Sequence, residues 1–166
     1  MNATRYSAER GWPASLAGVR SHLRLEFNGG WLKMPGFGLC YPAVSGRLTS
    51  DGFRYAVDRQ RLSNEGPIPE GVYWVAPAEL WSNAWYRPVS RSAWGNHRLT
   101  IHPFPETETH GRGGFFIHGG TTPGSAGCID LWGHMDRFAK DLKEKVDGRE
   151  NIYCILTVNY NLQHRT

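Results

Sequence analysis

A chain of 166 residues with 40% hydrophobic content is of a size to close one core as a single domain. Its formal charge of +4 and pI near 9.1 come from arginines scattered along the sequence without a clustered basic stripe, which argues against a nucleic-acid partner. No apolar run approaches the roughly 20 residues of a membrane span, and the polar start Met1-Asn2-Ala3-Thr4-Arg5 has no apolar segment behind it, so neither membrane insertion nor a standard export signal is expected.

Seven Trp, 20 Gly and 10 Pro favour a turn-rich, mainly β protein. Residues 1 to 21 show no clear period around Gly11-Trp12-Pro13 and read as an N-terminal extension, with the main domain spanning 22 to 166. His22-Leu23-Arg24-Leu25-Glu26-Phe27 alternates polar with apolar, Asn28-Gly29-Gly30 supplies a turn, and Trp31-Leu32-Lys33-Met34 returns as the second arm of a hairpin. Tyr41 to Gly46 predicts a further short strand, and Val72-Tyr73-Trp74-Val75 a buried one after the turn-forming run from Asn64 to Gly71. Arg98 to His102 and Phe115 to His118 are two more strands; in the second, the period of two puts Phe116 and His118 on one face, Phe115 and Ile117 on the other. Met135, Phe138, Ala139, Leu142 and Val146 recur at helical spacing with Gly148 as the stop, giving one amphipathic helix. Ile152 to Val158 closes the chain as an apolar strand, which makes Cys154 a core residue.

The stretch richest in chemistry lies between the strand ending at His118 and that helix. His118 and Cys128 flank a loop holding Gly119, Gly120, Pro123, Gly124 and Gly127. A free thiol titrates near 8.5, so it becomes a useful nucleophile only where an imidazole takes its proton or a positive field stabilises the thiolate. Gly127 leaves the amides beside Cys128 uncovered, and one or two of them suit a developing oxyanion, a contribution of roughly 3 to 4 kcal/mol in comparable sites. Residue type alone favours a blander reading, with Cys128 a small buried hydrophobe and His118 a satisfied core histidine. The glycines shift the balance back, because a polar glycine-rich loop is a poor place to bury a thiol and a good one for a substrate chain to approach.

The order His118-Gly119, then Ser125-Ala126-Gly127-Cys128-Ile129, resembles the active-site signature of the L,D-transpeptidase (YkuD-like) catalytic domain, over roughly residues 22 to 160. Ala126 stands where most of that family has a second histidine, and the His-to-Cys gap is short; both features are similar to the small antibacterial L,D-transpeptidase and L,D-carboxypeptidase effectors of type VI secretion. The resemblance implies a YkuD-like β-sandwich or barrel with one helix after the catalytic cysteine, and a chain delivered without a signal peptide into the periplasm of a target bacterium. It implies that Cys128 attacks the diaminopimelate–D-Ala bond of peptidoglycan tetrapeptide stems and forms a thioester, which water, a D-amino acid or a second stem resolves. His118 is then base and acid, oriented by the Gly119 carbonyl; the Gly127 and Cys128 amides form the oxyanion hole, and Ser125 supports the loop. A cognate immunity protein is the implied partner, and the expected state is a monomer.

Three further residue groups stand beside this reading. Arg112 is a candidate clamp for a D-Ala or diaminopimelate carboxylate, against the alternative of a surface arginine, and Asp130 either binds the substrate amine or fixes the loop through backbone amides. Trp81, Trp85, Tyr86 and Trp94 form either a sugar-stacking lid or core. His102, His110, His118, Cys128 and His134 are spaced by 8, 8, 10 and 6 residues, which matches no zinc pattern, so neither metal nor cofactor is expected. Two rival functions remain: an NlpC/P60-like amidase using Cys40 with His102 or His118, and a wall-binding module without chemistry.

Overall fold

The computed structural model describes residues 18–82, 97–149 and 151–161. Strand β1 (Val19–Phe27) turns at Asn28, whose Oδ1 accepts the amides of Gly30 and Trp31, and returns as β2 (Trp31–Met34) with Glu26 opposite Lys33 and Phe27 opposite Leu32. That is the hairpin read from the alternation, but β1 begins at Val19 and not at His22. The register slips between Arg20 and Arg24, where buried Ser21 donates to the Cys154 sulfur, and this irregularity hides the strand start from a period-two pattern.

The expected strand from Tyr41 to Gly46 is two strands, β3 (Leu39–Pro42) and β4 (Val44–Ser45), parted at Ala43 and stopped by Gly46 at φ +81°. After a single helical turn α1 (Val57–Gln60), which the sequence did not announce, come β5 (Gly71–Val75), β6 (Trp81–Ser82), β7 (His97–Pro103), β8 (Phe115–His118) and β9 (Ile129–Asp130). Helix α2 (Met135–Val146) and strand β10 (Ile152–Val158) follow. The helix ends at Val146, two residues before Gly148, because Asp147 itself takes the left-handed cap at φ +52° and donates its amide to the Lys143 carbonyl. It buries Met135, Phe138, Ala139, Leu142 and Val146, the residues its periodicity named.

Nine strands run in the order β3-β2-β1-β10-β5-β7-β8-β9-β4, and β6 adds to β7. The two ends of this path, β3 and β4, are separated in sequence only by Ala43, so the sheet has to curl until its edges nearly meet. The interior is filled by alternate residues of the strands, among them Leu25, Phe27, Leu99, Phe115, Ile117 and Ile129, and is packed by the apolar face of α2. Burying each such side chain contributes roughly 1.5 to 3 kcal/mol. The fold is therefore mainly β and barrel-like with one substantial helix. Cys154 is fully buried in this core, and all three cysteines are free thiols.

Candidate active site

Strands β8 and β9 run parallel, with Ile117 opposite Ile129 and His118 opposite Asp130. Ile117 and Ile129 point into the core, so alternation turns their neighbours the other way: Phe116, His118, Cys128 and Asp130 belong to the face away from it. This pairing, between segments joined by a ten-residue loop, brings His118 and Cys128 to one face as diagonal neighbours. His118 is 4% exposed and Cys128 6%.

The His118 ring is fixed by its Nδ1, which lies 2.5 Å from the Gly119 carbonyl oxygen. A carbonyl only accepts, so Nδ1 carries the proton and, in the neutral ring, Nε2 is left as the basic nitrogen. Burial holds the His118 pKa below the usual imidazole value, and the Arg98 charge acts in the same direction against the Gly119 bond. Burial likewise pushes the Cys128 thiol up to about 11, opposed by a backbone hydrogen bond at Phe116 and by the charges of Arg98 and Arg112. The thiol makes a long contact of 3.9 Å to the Gly114 carbonyl. Both shifts favour the neutral thiol and the neutral imidazole in the resting site.

The loop between them is braced from within. Ser125 Oγ donates to the Cys128 carbonyl at 2.8 Å, and the Ser125 amide donates to Gly46. Asp130, 1% exposed, accepts the Trp132 amide at 2.8 Å on Oδ1 and the Gly124 amide at 2.9 Å on Oδ2. Its Oδ1 lies 4.0 Å from His118 Nδ1, and burial raises its pKa to about 7. Asp130 thus accepts one amide from within the loop and one from beyond β9. Gly119 has no room for a side chain: a β-carbon there would stand 2.9 Å from the Trp132 carbonyl and from Met135 Cβ.

Arg112 is half-buried. Its Nη1 donates to the carbonyls of Gln60 and Pro67 at 2.6 and 2.7 Å, and Nη2 to Gly66 at 3.0 Å, so the guanidinium straps the turn before β5 against Gly127. Cys40 is exposed on β3, with Arg137 donating to its carbonyl, whereas His102 stacks on Trp74 with ring centroids 4.0 Å apart and bonds Glu79 at 2.7 Å. Cys40 therefore meets neither His102 nor any other histidine in the hydrogen bonds of the described residues. Trp81 is half-exposed on β6; Trp85, Tyr86 and Trp94 lie outside the described residues.

Arg98 escaped the sequence reading. It sits opposite His118 in the β7–β8 pair, with its guanidinium carbon 4.9 Å from the centre of the Trp81 ring and 4.8 Å from that of Phe116. Only the non-local register puts it there, and no spacing along the chain signals it.

A curled β-sheet carrying a neutral histidine and cysteine side by side at a glycine-rich loop defines a mainly β protein with a cysteine–histidine site. The family model of the Tlde1 domain matches residues 43–148, which takes in α1, both site strands and α2, and the chain belongs to this family of type VI secretion antibacterial effectors. No curated protein matches the chain. Among the described residues no helix is long and apolar enough to cross a membrane.

Proposed function

We propose that the protein is a peptidoglycan-modifying cysteine acyltransferase that cleaves the diaminopimelate–D-Ala bond of tetrapeptide stems in the periplasm of a target bacterium. The observation that carries this reading is the shared face of His118 and Cys128 across β8 and β9, with Nδ1 held by Gly119 so that Nε2 is the basic nitrogen of the neutral ring. Membership of the Tlde1 family supports the antibacterial setting, and the order of residues around Gly127-Cys128 supports the L,D-acyl-transfer chemistry.

The mechanism follows from the neutral resting pair. As the thiol attacks the scissile carbonyl, its proton passes to His118 Nε2 and the oxygen takes up negative charge against the amides of Gly127 and Cys128. Collapse breaks the C–N bond, the imidazolium gives its proton to the leaving D-Ala amine, and a thioester remains on Cys128. Water, assisted by His118, then releases a tripeptide stem; the amine of a free D-amino acid or of a second stem gives exchange or a crosslink. Because neither group is ionised beforehand, proton transfer and attack are coupled, and the buried thiol is kept unreactive until a carbonyl is in place. Asp130 and Ser125 act as positioning residues through the loop, and a cognate immunity protein covers the cleft in the producing cell.

Mass spectrometry of purified disaccharide-tetrapeptide incubated with wild type and Cys128→Ala, with and without a free D-amino acid, tests the reading. Loss or replacement of the terminal D-Ala by wild type alone is expected. Cleavage between sugar and peptide would instead mark an amidase, and intact stems with retained binding a wall-binding module.

A further inference from the structure

We propose that Arg98 is the carboxylate anchor of this site: it pairs with the terminal carboxylate of the leaving D-residue and makes the enzyme specific for stems that end in a free acid. The assignment rests on the acyl-transfer reading above.

Three neighbouring strands present three chemistries on one face. Cys128 immediately precedes β9, His118 ends β8, and Arg98 stands on β7 directly opposite His118. Paired residues of adjacent strands share a face, and strands lie about 4.8 Å apart, so the row runs nucleophile, base, cation. The substrate runs in the same order. Its scissile carbonyl carbon meets the thiol, its leaving nitrogen needs the histidine proton, and two bonds beyond that nitrogen lies the carboxylate carbon, a path of at most about 4.3 Å from the scissile carbon by bond lengths. That span is less than one strand spacing, so the carboxylate comes to rest beside His118, where the arginine paired with that histidine on β7 is the next cation in the row.

The arginine is also held in a form that suits a carboxylate. Trp81 and Phe116 both lie against the guanidinium, and a cation over ring faces is stabilised by them while its N–H edges stay in the guanidinium plane, where a carboxylate is read by two parallel bonds. Arg112, the other arginine near the nucleophile, has three donors committed to Gln60, Gly66 and Pro67 and forms part of the loop's framework. The incoming D-amino acid of an exchange reaction carries the same carboxylate at the same distance from its nitrogen, so one anchor serves leaving group and acceptor alike.

The test compares kcat/KM for D-residue release from the free-acid tetrapeptide and from its C-terminal amide, using wild type, Arg98→Met and Arg98→Lys. A charge-assisted pair predicts that wild type prefers the free acid by about 10- to 100-fold. In Arg98→Met that preference should collapse towards unity, mainly through the acid, with KM rising; Arg98→Lys, which keeps charge and loses the fork, should fall between. Because each variant serves as its own reference, partial misfolding lowers both rates and leaves the ratio readable, and Arg98→Lys carries the comparison should the methionine variant not fold. An unchanged acid-to-amide preference in either variant overturns the anchor and leaves the acyl-transfer reading standing. A wild type inert towards both substrates overturns the reading and the anchor with it.

Discussion

Gly127 lies directly against the Arg112 guanidinium: a β-carbon at position 127 would stand 2.4 Å from Nη2, and the backbone there is at φ +106°. Both facts favour glycine immediately before Cys128, one by space and one by backbone conformation. Gly127→Ala has to move either the arginine or the loop that presents Cys128. We expect a stability loss of about 1 to 3 kcal/mol by chemical denaturation, with D-Ala release falling at least tenfold even in the folded fraction. Wild-type stability and turnover in Gly127→Ala would show that the loop yields without cost.

Arg112 itself satisfies three carbonyls of the turn that runs from Gln60 to Pro67. Removing it leaves these acceptors without their charged donor, and each partly buried unpaired carbonyl costs about 1 to 3 kcal/mol. Arg112→Met should therefore lose at least about 2 kcal/mol in urea denaturation, and Arg112→Lys should recover less than half, since an ammonium on a flexible stem cannot reproduce the planar fork. If Arg112→Met unfolds at the wild-type midpoint, the strap carries no weight.

How far the sequence showed all this depends on the range of each signal. The hairpin at Asn28, the helix from Met135 to Val146 and the strand ending at His118 are local patterns, and they appear as read. The two-residue strands β4, β6 and β9 are too short for any period to mark them, and exist because longer neighbours supply their partners. His118 and Cys128 were visible through their glycines and through the motif. Arg98 was not, because its relation to His118 is a register across β7 and β8, and the strapping of Arg112 depends on a turn about 50 positions upstream.

The burial that pushes the Cys128 thiol up to about 11 predicts how it reacts with a small electrophile. Only the thiolate attacks, so alkylation of Cys128 by iodoacetamide should rise close to tenfold for each pH step between 7 and 9.5, with no plateau. Exposed Cys40 should be modified ahead of it, and fully buried Cys154 last of all. Peptide mapping by mass spectrometry follows the three sites separately. A plateau for Cys128 below pH 8 would mean that the resting enzyme already holds a thiolate, and the coupled proton transfer proposed above would be wrong.

Asp130 gives the fold a pH dependence of unusual sign. Its folded pKa, raised by burial to about 7, exceeds the ordinary carboxyl value of 3.8, so between those values the folded state binds more protons than the unfolded one. Stability from this group is then highest at low pH and is lost as pH rises towards 7, the reverse of an ordinary paired carboxylate. His118 works the other way below 6.5, because its folded pKa is depressed and the unfolded chain takes up the proton first. The two partly cancel in wild type, which is why the difference from a variant is the informative quantity. Asp130→Asn keeps the shape and loses the titration, at the cost of one of the amide bonds from Gly124 or Trp132. It should be less stable than wild type at pH 4.5 and gain on it steadily as pH is raised to 8. Melting curves of both proteins at matched pH values measure this directly; a gap that stays constant from 4.5 to 8 would show that Asp130 is already ionised in the folded protein, stabilised by its two backbone amides against the burial.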